Sequence, residues 1–124
     1  MGFAHNFQPS QIVCLDYEGT RLYAEVIQIV ESRQVCWARP LMLAVSPVYT
    51  DPVLEQPTLY DLRQTADLLW PLSLFRLALD TEVVSLLAQL QVSKDQSEDN
   101  QLTNRQLNLF MRQVWQAHPN KFKF

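Results

Sequence analysis

The sequence predicts an α+β chain: a small curled antiparallel sheet, SH3-like and partly open as a barrel, followed by two or three helices. Three observations carry this expectation. Short β-branched runs alternate polar and apolar residues through positions 11–43. Prolines at 47, 52 and 57 keep helix out of the segment 46–57 that follows. From Thr103 onward, apolar residues recur at helical spacing instead.

Residues 1–9 read as a loose arm, anchored by Phe3 and Phe7 and stopped by Pro9. Residues 11–15, Gln-Ile-Val-Cys-Leu, are a strand by composition. Asp16-Tyr17-Glu18-Gly19 carries turn chemistry, with Gly19 free to take positive φ. In the second strand, 21–30, Leu22, Ala24 and Val26 share one face and Tyr23, Glu25, Ile27 and Ile29 the other. The polar member changes face at Gln28, so a bend or bulge is expected there. Residues 31–33 form a tight connection to a third strand, 34–43, in which Pro40 marks a change of ladder pairing. Residues 46–57 read as a loop with a short extended piece at Val48-Tyr49, and 58–63 as a fourth strand, so the sheet spans 10–63.

Pro71 suits the first turn of a short helix over 72–78, within a helical segment of 67–91. Asp80, Thr81 and Glu82 suit the start of a longer helix over 81–91, with Val83, Leu86, Leu87 and Leu90 inward. Residues 92–101 are a polar loop. The final helix, 102–118, is capped by Thr103, aligns Leu107, Phe110, Met111, Val114, Trp115 and His118 on one face, and ends at Pro119. The 124 residues are read as one domain, because two independent cores of about 60 residues each are marginal.

Composition narrows the function. The formal charge is −3 and the pI about 5.2, which disfavours affinity built on phosphate neutralisation. Two glycines leave no material for a phosphate loop or dinucleotide fingerprint. No apolar run approaches the roughly 20 residues of a membrane span, and the start lacks the features of a secretory signal, so a cytoplasmic protein is expected. Cys14 and Cys36 read as buried hydrophobes on adjacent strands in a reducing compartment. With His5 and His118 at opposite ends of the chain, no metal site, cofactor or catalytic residue is assigned. His118 takes a structural role at a helix C-terminus, and the acids Asp16, Glu18, Asp61, Asp67, Asp80 and Glu82 cap turns and helix starts.

Residues 60–80 pack seven leucines with Tyr60, Trp70 and Phe75 into 21 positions, more than one amphipathic face can bury, so the segment either threads as core between the sheet and the last helix or leaves part of itself exposed as a partner surface. The leading expectation is a non-enzymatic adaptor or assembly factor. It would bind another protein, or a second copy of itself, through Trp70, Leu74, Phe75 and Arg76. The alternative is an RNA- or DNA-binding barrel using Arg21, Tyr23, Trp37 and Arg39, weakened by Asp16, Glu18, Glu25 and Glu31 in the same stretch. A third reading is a hydrolase built on carboxylates.

Residues 59–63 (LYDLR), 67–71 (DLLWP), Leu74-Phe75-Arg76 and 78–83 (ALDTEV), with 13 glutamines in the chain, resemble small conserved cyanobacterial proteins. The resemblance spans about residues 10–91. It implies a cyanobacterial cytoplasm or thylakoid surface, and it supplies no activity and no site residues.

Overall fold

A computed structural model describes residues 7–46, 57–92 and 100–122. His5, Phe3, the Val48-Tyr49 piece and most of the polar loop after the first helix lie outside the described residues. Six strands form one antiparallel sheet that does not close: β1 (Ile12–Tyr17), β2 (Thr20–Val30), β3 (Val35–Val45), β4 (Thr58–Asp61), β5 (Leu68–Pro71) and β6 (Arg76–Leu77). Two helices follow, α1 (Asp80–Val92) and α2 (Asn100–Ala117).

The β1–β2 hairpin closes on two residues with positive φ, Glu18 at 45° and Gly19 at 81°, so that Tyr17 pairs with Thr20. Left-handed backbone at both central positions matches the twist of the flanking strands, and glycine takes it without a Cβ clash. The β2–β3 ladder shifts register between Val26 and Gln28, at the position where the face pattern changes in the sequence. It shifts again between Tyr23 and Ala24, whose partners are Met42 and Pro40, leaving Leu41 as the extra residue. Pro40 cannot donate to a ladder, and the partner of β3 along its outer edge changes there. Residues 35–38 of β3 pair with β5, and residues 42–45 pair with β4.

The expected short helix over 72–78 is not a helix. Leu68–Pro71 pairs with β3, Leu72–Leu74 makes a single 3-10 turn, and Arg76–Leu77 pairs with β1. Pro71 ends an edge strand, and Leu72 N–H donates to the Gln34 carbonyl at 2.9 Å. The sheet therefore runs beyond residue 63 into the segment read as helical. The other elements lie close to expectation, except that α2 starts at Asn100 and Thr103 is buried within it.

Each face of the sheet carries one helix. Val13, Leu15, Leu22, Ala24, Val26, Cys36, Ala38 and Leu43 face α2 and pack with Leu107, Phe110 and Val114. Cys14, Tyr23, Met42 and Ala44 face α1 and pack with Val83, Leu86 and Leu90. Of the residues expected to line the inner face of α2, Met111 is half-buried against the core but Trp115 is 53% exposed. Cys14 and Cys36 are not on adjacent strands: β2 lies between β1 and β3, and the two thiols belong to opposite faces.

Candidate functional site

Two groups of side chains could carry function. The first lies where α1 meets β1, β2 and β6. The fold brings Arg21 and Tyr23 from β2, Asp16 from β1, Arg76 from β6 and Glu82 from the first turn of α1 to one place. Tyr23 OH donates to Glu82 Oε2 at 2.7 Å and accepts from an Arg21 guanidinium nitrogen at 3.0 Å. Arg76 donates to Glu82 Oε1 at 2.9 Å and to Asp16 Oδ2 at 2.7 Å, while the Leu79 backbone N–H reaches Glu82 Oε1 at 2.8 Å. Arg21 adds an ion pair to Glu82 at 3.4 Å.

Charge-assisted hydrogen bonding of this density stabilises the ionised carboxylate. The Arg76 guanidinium, helped by the Tyr23 hydroxyl and the Leu79 amide, holds Glu82 down at about 2. Reciprocally, Glu82 and then Asp16 raise Arg76. Burial, then the bond to Glu82, pushes Tyr23 above the ordinary tyrosine range. Burial first and the neighbouring Asp16 second push Cys14 up to about 12, so its thiol is a poor nucleophile. Burial alone lifts Cys36 to about 11. Both Glu82 oxygens are occupied by donors from the protein itself, and the cluster ties α1 to the sheet.

The second group is the part of the α1-side sheet face that α1 does not cover. Trp37 alternates with Cys36 and Ala38, which face α2, so its ring stands on the opposite side. Its cross-strand neighbours are Leu69 on β5 and Gln28 on β2. Trp37 is 36% and Leu69 57% exposed. The indole Nε1–H donates to Asp67 Oδ2 at 3.0 Å, and Arg39 Nε donates to Asp67 Oδ1 at 3.3 Å. The Asp67 carboxylate thus bridges Trp37 and Arg39 and fixes the ring while leaving it exposed.

The sequence-selected residues separate accordingly. Trp70 and Phe75 are interior, with Trp70 edge-on to Phe122 at 5.4 Å, and Leu74 is half-buried. Arg76 is exposed but engaged by Glu82 and Asp16. The cause is the β5–3-10–β6 path, which turns alternate side chains inward and leaves Leu69, Leu77 and Leu79 outside instead. Of the nucleic-acid set, Trp37 and Arg39 are neighbours on the open face, whereas Tyr23 is fully buried beneath α1 and Arg21 pairs with Glu82. His118 is half-buried at the end of α2. Sequence reading gave Leu69 no role and took Asp67 for a capping acid, whereas Asp67 binds Trp37 and Arg39; the alternation of Leu68, Leu69 and Trp70 becomes informative once 68–71 is known to be a strand.

Among the described residues no group of three or more His, Cys, Asp or Glu could hold a metal ion. A recess of about 230 Å3 lies between the β1–β2 turn and α2, with Glu18, Gln106, Leu109 and Gln113 on its walls. No described helix is long and apolar enough to cross a membrane. Comparison with known protein families, curated proteins and solved structures gives no match.

Proposed function

We propose that this chain is a non-enzymatic adaptor that binds a partner protein through the open sheet face centred on Trp37 and Leu69. The strand order β5-β3-β2-β1-β6, with a 3-10 turn between β5 and β6, supports reading the sheet as an SH3-like barrel to which β4 is added. The observation that carries the function is the state of Trp37. A large aromatic ring lies exposed beside an exposed leucine, already oriented by its bond to Asp67, so little side-chain freedom is lost on docking. The Arg39–Asp67 pair supplies a polar rim to that apolar centre.

The test is photo-crosslinking in cells of the source organism from a probe at Gln28, comparing wild type with Trp37→Ala, Leu69→Asp and, as a remote control, Val84→Asp. The reading requires one protein crosslinked by wild type and Val84→Asp and lost from the other two. Equal crosslinking by all four chains overturns it. Crosslinking to nucleic acid in place of protein would favour the Trp37–Arg39 pair as a base-stacking site.

A further inference from the structure

Charge is distributed unevenly along the chain. All 13 acidic residues fall in the first 99 positions, while residues 100–124 hold four of the ten basic ones and no acid. Four of the five arginines of the sheet region are neutralised in place, Arg21 by Glu82, Arg39 by Asp67, Arg63 by Asp61 and Arg76 by Asp16 and Glu82, whereas Arg33, in the turn between β2 and β3, is exposed and forms no ion pair among the described residues. Arg105 and Arg112 on α2 are exposed and form no ion pair among the described residues. At 100° per residue, Arg105, Arg112 and Gln116 run down the middle of the outer face of α2, opposite Leu107, Phe110 and Val114. Leu109, 50% exposed, flanks that ridge on one side, and the half-exposed Trp115 flanks it on the other.

We infer that the outer face of α2 rests on an anionic lipid surface. The occupant must place negative charge along the arginine ridge and accept apolar side chains on both of its flanks. A nucleic acid would satisfy the arginines and leave Leu109 in water. A headgroup layer presents anions at the level of the guanidinium groups and apolar depth beside them, and indole rings favour that boundary. With two free arginines the association is peripheral and reversible, each contributing about fivefold to partitioning. Trp37 lies on the other side of the sheet, so a chain seated in this way presents its open face to the aqueous phase. The lipid contact does not rest on the adaptor reading, and it uses none of the same residues.

Cosedimentation of the full chain with sonicated vesicles tests it, using phosphatidylcholine alone and phosphatidylcholine containing 30% phosphatidylglycerol (roughly the anionic share that gives a strong surface potential). Binding is expected only to the anionic vesicles, weakening as salt rises. Arg105→Glu/Arg112→Glu should lower partitioning by more than 20-fold, and Trp115→Ala should lower it several-fold with loss of a blue-shifted emission component. Both sites are solvent-facing, and unchanged far-ultraviolet circular dichroism checks the fold. No binding to anionic vesicles overturns the inference, as does binding that the double charge reversal leaves intact. Retention on immobilised polynucleotide or on an acidic polypeptide without vesicle binding overturns it equally.

Discussion

Glu82 accepts hydrogen bonds from Arg76, Tyr23, Arg21 and the Leu79 amide, and its acid limb follows from them. Its value falls from the ordinary 4.5 to about 2 on folding, so the unfolded chain takes up the proton first. The stabilisation from this carboxylate is complete above pH 4.5, declines as pH falls toward 2, and is absent below. Glu82→Gln should cost about 2 kcal/mol at neutral pH, a figure reduced for the solvent that reaches the carboxylate. The gap between variant and wild type should close between pH 4.5 and 2, as read by urea unfolding across that range. The thiols give a second expectation: Cys14 and Cys36, raised to about 12 and about 11, should resist iodoacetamide at pH 8 in the native protein and react once it is unfolded. The sequence reading held Glu82 as a helix-start acid, and it does occupy the first turn of α1. Its partners Arg21 and Tyr23 are some 60 residues away, a proximity that only the fold creates.

Helix α2 was legible because one physical signal, 3.6-residue periodicity, dominates it; the same signal overreached at Trp115, which lies at the margin of the stripe. Phe110→Ala should cost about 3–5 kcal/mol, since it empties a site in the core between sheet and helix, whereas Trp115→Ala should cost under about 1 kcal/mol. Urea midpoints of the two variants check the contrast. The bulge at Gln28 and the pairing change at Pro40 were also readable, because a face reversal and a missing donor are local facts. The segment 68–77 was not readable. Pro71 fits both a helix start and an edge-strand end, and Leu72-Ser73-Leu74 fits a 3-10 turn as well as a helix. The choice was made by the free edges of β3 and β1, which are distant in sequence. The positive φ of Gly19 was foreseen, and Gly19→Val should cost about 2 kcal/mol by forcing a β-branched residue into the left-handed region.

Over the whole molecule, the sheet is the middle layer and each helix covers one of its faces. The composition predicted a substantial apolar interior, and the strand-then-helix order predicted the α+β class. That the two helices would take opposite faces was not predictable, because both stripes fit either face. Because α2 is the cover for the larger cluster, a chain ending at residue 98 should leave Leu15, Leu22 and Leu43 bare. It should bind 1-anilinonaphthalene-8-sulfonate and lose cooperative unfolding, whereas the full chain unfolds in one transition.

The placement of the two cysteines gives the experimenter a convenient internal gauge. They point to opposite sides of the sheet with β2 between them, so a correctly assembled chain has no route to an intramolecular S–S bond. Any faster-migrating band on a non-reducing gel of a purified batch therefore measures the fraction that was oxidised before, or instead of, reaching its native arrangement.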